Sequence, residues 1–229
     1  MAKKVVKRVN WKRVSLLILG LLCLSFGIYF YIEEPIHNIY IINKGGNLSD
    51  EVILEESGLK GYPSFVMTSK GVIKKRLLRN DYIRSVKIVK TLNFKLYITI
   101  EEYRVLASYG DNMLILSNGK MTENVSGYTE YPRLINEVDS SVWDKFIRKF
   151  NMIDEDILFN ISEIEYSPNE VDKERFILYM DDNNYVYVTL SKIKKLNRYF
   201  DICGQLGEAS GIIYLDSGDY VEVKSRHWG

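Results

Sequence analysis

The sequence predicts an α+β protein: a single transmembrane helix, then a module of order β-α-α-β-β, then a mixed-sheet α/β module. Three observations carry this prediction. Val14 to Ile32 holds no charge, a strand-helix-helix-strand-strand pattern follows up to about residue 103, and beyond it apolar alternation between turn signals mixes with helical stripes.

The run from Val14 to Ile32 is nineteen residues long. At 1.5 Å per residue it reaches about 30 Å, the thickness of a bilayer hydrocarbon core. Six of the 31 Lys+Arg residues (Lys3, Lys4, Lys7, Arg8, Lys12, Arg13) precede it with no acid among them, and Glu33 and Glu34 follow at once. The positive-inside rule therefore makes residues 1–13 a cytoplasmic tail, 14–32 the span and everything after it extracytoplasmic. A cleaved signal would need a shorter apolar stretch ending in a small-x-small site, where this chain has Tyr29, Phe30 and Tyr31. After the tail, 25 cations face 30 acids, so the folded part lacks the basic surface a nucleic-acid binder needs. The two cysteines are Cys23 in the span and Cys203 far downstream, which excludes a disulfide within the ectodomain.

In residues 33–103, Ile36 to Asn43 reads as a strand, and Ser49 caps a short helix that opens with Asp50 and Glu51 and closes at Gly58. Ser69 to Arg79 reads as a second helix with Val72, Ile73, Leu77 and Leu78 as its apolar stripe. Ile83 to Val89 and Phe94 to Ile100 form a hairpin about Thr91 to Asn93, with Leu96, Ile98 and Ile100 pointing inward.

Residues 104–224 give strands at Val105 to Tyr109 and Met113 to Leu116, with a turn at Ser117 to Gly119. Val142, Phe146, Phe150 and Ile153 mark one face of a helix; Glu163 to Tyr166, Arg175 to Met180 and Tyr185 to Thr189 are strands. A helix over Ser191 to Cys203 is expected to bury Ile193, Leu196, Phe200 and Cys203. Ile212 to Leu215 and Tyr220 to Val223 close the fold as a hairpin, leaving 225–229 as a short tail.

Catalytic chemistry finds little to work with. His37 and His227 stand at opposite ends of the ectodomain, Cys203 sits on an apolar helical face, and the pairs Glu101/Glu102, Asp154/Asp156 and Asp181/Asp182 fall at strand ends and turns. No enzyme activity, cofactor, metal or small-molecule substrate is expected.

Ile39-x-Ile41 before Gly46-Asn47, Leu48 to Ile53, Gly58-Leu59, Asn80-x-x-Ile83, Val86-x-Ile88 and Leu96-x-Ile98-x-Ile100-Glu101-Glu102 together resemble a POTRA domain. Placed directly outside an N-in anchor, that series resembles the bacterial cell-division family DivIB/FtsQ. The resemblance implies a POTRA domain at 33–103 and a family-type β domain at 104–224. It implies a non-enzymatic divisome scaffold in the cell membrane, expected at the septum, that helps regulate septal peptidoglycan synthesis. Its implied partners are DivIC/FtsB-like and FtsL-like bitopic proteins, paired through a late strand edge at Leu215, Asp216, Ser217, Gly218, Tyr220, Val221 and Val223. A tethered accessory or sensor ectodomain with other partners stays open at this point, as does a tethered wall-acting enzyme using Cys203 or an acid pair.

Overall fold

The computed structural model describes residues 10–127, 129–206 and 210–223. Two compact units emerge: one runs up to Ile42 and adds Asp50–Arg79 and Val86–Ile100, and the other comprises Asn43–Ser49, Asn80–Ser85 and the chain from Glu101 onward.

The first unit begins with helix α1 (Trp11–Glu33), 23 residues with none buried. Among the described residues it is the one helix long and apolar enough to cross a membrane. It starts three residues before the uncharged run, because Arg13 and Val14 donate their amides to the Asn10 carbonyl. The Ser15 and Ser25 hydroxyls turn back onto the Lys12 and Leu22 carbonyls, so each stays satisfied inside the helix.

Strand β1 (Asn38–Asn43), helices α2 (Asp50–Ser57) and α3 (Lys70–Leu77), and strands β2 (Ile83–Thr91) and β3 (Lys95–Glu102) follow, with sheet order β1-β3-β2. The central strand supplies Leu96, Ile98 and Ile100, all with no exposed surface, and Ile53 of α2 and Ile73 and Leu77 of α3 are buried as well. Strand β1 starts later than expected because Ile36 donates its amide to the Pro63 carbonyl and Pro35 bridges Ser64. Gly58 ends α2 at φ +75°, and the Leu59 amide reaches back to the Leu54 carbonyl, as a Schellman closure requires. The expected stripe on α3 is half right: Ile73 and Leu77 are buried, while Val72 and Leu78 are exposed. Two turns of helix present about one core residue each, so the flanking apolar positions turn outward.

The second unit is a nine-stranded mixed sheet, order β12-β11-β10-β9-β8-β7-β4-β5-β6. Its strands are β4 (Val105–Tyr109), β5 (Met113–Leu116), β6 (Met121–Glu123), β7 (Arg133–Leu134), β8 (Ile161–Tyr166), β9 (Arg175–Met180), β10 (Tyr185–Thr189), β11 (Gly211–Tyr214) and β12 (Tyr220–Val223). The pairs β4/β7, β7/β8 and β10/β11 are parallel and the rest antiparallel. Helix α4 (Ser140–Phe150), capped by Asp139 accepting from the Ser141 amide, lays Phe146 and Phe150 on Phe176 of β9 at ring separations of 5.4 and 5.6 Å. A short helix α5 (Glu155–Leu158) buries Ile157 and Leu158.

The predicted helix after β10 is two pieces: a 3-10 helix over Leu190–Arg198, then α6 (Tyr199–Leu206). The 3-10 period of three residues per turn carries the buried line through Ile193, Leu196 and Tyr199. Phe200, expected inside, is therefore 45% exposed, and Cys203 is half-buried.

Candidate docking edge

After α6 the chain returns as β11, parallel to β10 with Tyr185 opposite Ile212 and Tyr187 opposite Tyr214. It then folds back as β12, with Tyr214 opposite Tyr220 and Gly211 opposite Val223. Among the described residues strand β12 has a neighbour on one side only, so it stands at the edge of the sheet. Unpaired backbone donors and acceptors on such a strand are a template for another strand.

The turn before β12 is held firmly. Leu215 is buried in the core, and its amide and that of Asp216 both donate to the Tyr187 carbonyl, at 2.8 and 3.1 Å. The Asp216 carboxylate accepts from Arg175 Nε at 2.8 Å, with side chains only 12% and 18% exposed, while Lys192 Nζ donates to the Asp216 carbonyl at 2.8 Å. Burial alone would push the Asp216 carboxyl up; the hydrogen bonds from Arg175 and Ser217 and the Arg175 charge outweigh it and hold the group below its ordinary value. Lys195 pairs with Asp219 at the far end of the turn.

One face of this corner is a tyrosine ladder. Tyr187 and Tyr214 stack at 5.1 Å and Tyr214 and Tyr220 at 4.6 Å, with the Arg175 guanidinium 4.5 Å from the Tyr187 ring centroid. The ladder ends at Tyr220, which is 51% exposed; Val223 is 53% exposed and Val221 packs half-buried against the core.

The seven residues expected at the edge thus divide by role. Leu215 and Asp216 fasten the turn inward, Ser217 donates to Asp216, and Gly218 lies so close under the Tyr220 ring that a Cβ would meet it at 2.9 Å. Tyr220, Val221 and Val223 form the strand itself. The fastening residues Arg175, Tyr187, Lys192 and Tyr214 went unnoticed in the sequence; the alternation Tyr185-x-Tyr187 was the available signal, and only the parallel β10/β11 register gives it meaning. Of the topology residues, Lys12 and Arg13 open α1, whereas Lys3, Lys4, Lys7 and Arg8 lie outside the described residues, as do Lys224 and the tail after it.

The opposite edge differs. Strand β6 is three residues long, and the Glu123 carbonyl on it already accepts from the Tyr82 hydroxyl at 2.7 Å.

Of the side chains weighed for catalysis, Glu101, Glu102 and Asp182 have structural work, and His227 lies outside the described residues. Glu102 accepts from the Asn47 and Leu48 amides, both at 3.1 Å, and from the Asn43 and Asn47 side chains. Glu101 accepts from Ser85 at 2.9 Å. Asp182 accepts from the Tyr199 hydroxyl at 2.6 Å, and Asn184 beside it accepts from the Gly211 amide at 2.7 Å, pinning the start of β11. Burial and the nearby Asp182 push the Cys203 thiol up, leaving it protonated at neutral pH. Among the described residues no group of three or more His, Cys, Asp or Glu is placed to hold a metal.

Fold and edge define a class: a single-pass, membrane-anchored α+β protein with a small three-stranded module and a mixed sheet that ends in an open strand. Residues 35–103 match the family "POTRA domain, FtsQ-type". The chain is 27% identical over 228 residues to cell division protein DivIB of Bacillus subtilis, covering 94% of this chain and 85% of the relative. It is 26% identical to cell division protein DivIB of Listeria monocytogenes, over 96% and 85%, and 28% identical to that of Streptococcus pneumoniae, over 73% and 44%. A solved structure of the major extracytoplasmic domain of DivIB from Geobacillus stearothermophilus aligns with a TM-score of 0.39 at 25% identity, covering 46% of this chain and 94% of that one. The chain thus carries an FtsQ-type POTRA domain and is similar over most of its length to the DivIB cell-division proteins.

Proposed function

We propose that this chain is a non-enzymatic scaffold of the division machinery, held by α1 with residues 1–13 in the cytoplasm and its folded units outside. In this reading β12 receives an extended segment of a small bitopic partner of the DivIC/FtsB or FtsL kind, and the complex helps regulate septal peptidoglycan synthesis. The observation that supports it best is the contrast between the two sheet edges: β6 is short and already engaged by Tyr82, while β12 is open and ends a tyrosine ladder at a half-exposed ring. Main-chain pairing would supply affinity, and Tyr220 and Val223 would select the partner's alternate side chains.

The test is co-purification of the full chain in detergent with co-expressed DivIC and FtsL, comparing wild type with Tyr220→Lys and Val223→Asp after amide exchange shows the hairpin still formed. Capture by wild type and loss in both variants supports the reading. A wild-type chain that captures neither partner overturns it.

A further inference from the structure

The outer end of α1 is bonded to two loops of its own unit. The Ser64 hydroxyl donates to the Ile32 carbonyl at 2.5 Å, the Phe65 amide to the Glu34 carbonyl at 2.8 Å, and the His37 amide to the Phe94 carbonyl at 2.8 Å. Aromatic contacts close the joint: Tyr31 meets Phe94 edge-on at 5.8 Å, and Phe65 meets the same ring at 5.2 Å. These bonds place the loops 61–68 and 91–94 level with the last turn of a helix whose Tyr29, Phe30 and Tyr31 suit a membrane interface.

The same loops present apolar side chains to the outside. Leu92 is 98% exposed, Met67 74%, Tyr62 48% and Val66 39%. Leu92 and Met67 each stand two residues from a ring of the joint, within about 7 Å of chain. Lys90 donates to the Phe65 and Thr68 carbonyls of these loops, the latter at 2.8 Å, and Lys70, two residues beyond loop 61–68, lines a shallow hollow together with Lys74 and Lys87. In this unit, residues 70–95 contain no acid apart from Asp81, which belongs to the other unit. Apolar tips beside lysines are the pattern of a surface that rests in a lipid interface containing anionic headgroups.

We propose that loops 61–68 and 91–94 form a membrane foot, in which Leu92 and Met67, flanked by Tyr62 and Val66, enter the headgroup and upper acyl region of the bilayer that α1 spans. The lysines beside them meet anionic headgroups, and the foot restrains the first unit against rocking on its anchor. This rests on α1 crossing a bilayer.

The test uses the full chain with Cys23→Ser and Cys203→Ser, reconstituted in phosphatidylethanolamine and phosphatidylglycerol vesicles that carry nitroxide-labelled acyl chains. An environment-sensitive fluorophore is placed in turn at Leu92→Cys, Met67→Cys, Glu51→Cys and Phe26→Cys. Glu51 opens α2, after β1 has carried the chain about 20 Å from the joint. Quenching at 92 and 67 severalfold above that at 51, with 26 strongly quenched, is the expected result. If 92 and 67 match 51 while 26 is quenched, the anchor stands and the foot is overturned. An unquenched label at 26 removes the anchor reading and the foot with it.

Discussion

Replacing Asp216 with Asn removes one charge from the turn that carries β12 and leaves its shape nearly intact. The bonds from Lys192 to the Asp216 carbonyl and from Leu215 and Asp216 to the Tyr187 carbonyl remain. Arg175 keeps the Tyr187 ring and a long 3.4 Å contact to the Ser167 carbonyl, but loses the Asp216 carboxylate. A charge-assisted hydrogen bond contributes about 1.5–3 kcal/mol net, below the roughly 3–5 kcal/mol for breaking a fully buried ion pair, because both partners keep some exposure here. A terminal hairpin opens locally, so the loss should appear as amide exchange in 211–214 and 220–223 faster by about 10- to 100-fold, with β8 and β9 unchanged. The sign with pH follows from the depressed carboxyl. Its contribution is complete at neutral pH and is lost only as pH falls through the folded value, below about pH 4. Exchange in the hairpin, corrected for intrinsic rates, should therefore be flat from neutral to mildly acid pH in wild type and rise only below that range. Rates in Asp216→Asn within about twofold of wild type, set against the tenfold change per 1.4 kcal/mol, would show that the pair does not hold the hairpin.

Gly211→Ala should unpair β12 at a cost of about 1–3 kcal/mol, since the new Cβ would stand 2.6 Å from the Glu222 backbone carbonyl; faster exchange at 220–223 measures it, and unchanged exchange refutes it. Phe146→Ala should cost about 3–5 kcal/mol and Phe200→Ala less than about 1 kcal/mol in denaturant unfolding, whereas equal costs would mean that a continuous α-helix buries Phe200 after all. The Tyr179 hydroxyl donates to Glu165 and, with burial, its pKa is pushed up to about 12. Glu165→Gln should return it toward the ordinary value near 10 in a site-resolved NMR titration, and no movement would sever the two groups.

What could be read from the sequence was whatever depends on short-range period. The anchor, the strands Arg175–Met180 and Tyr185–Thr189, and the inward set Leu96, Ile98 and Ile100 emerge as expected because each is fixed by charge, alternation or turn residues within a few positions. The Phe200 error has the opposite origin. Switching from 3.0 to 3.6 residues per turn at Tyr199 rotates everything after it, and no residue type between Leu190 and Cys203 announces the switch. The corner that carries β12 was half legible for a related reason. A terminal hairpin is visible from its turn, but which strand it lies beside is set by the crossover through α6, and only that register turns Arg175, Tyr187 and Tyr214 into a support for Tyr220.

On the proposed docking role, that support makes hairpin closure and partner binding one equilibrium. Among the described residues strand β12 pairs with β11 alone, and β11 in turn rests on β10 through three register positions and the Asn184 contact to the Gly211 amide. A partner strand would need the hairpin formed, so its apparent affinity falls by the fraction of molecules in which the hairpin is open. Conversely, a partner at 100 times its dissociation constant would stabilise the closed hairpin by about 2.7 kcal/mol, comparable to the whole contribution assigned to the Arg175–Asp216 pair. Asp216→Asn should then weaken capture only if it leaves the hairpin mostly open, and saturating partner should restore wild-type exchange at 211–214. If partner is captured by wild type at saturation but slows exchange at 211–214 and 220–223 in neither wild type nor Asp216→Asn, binding and hairpin closure are not coupled and the docking surface lies elsewhere.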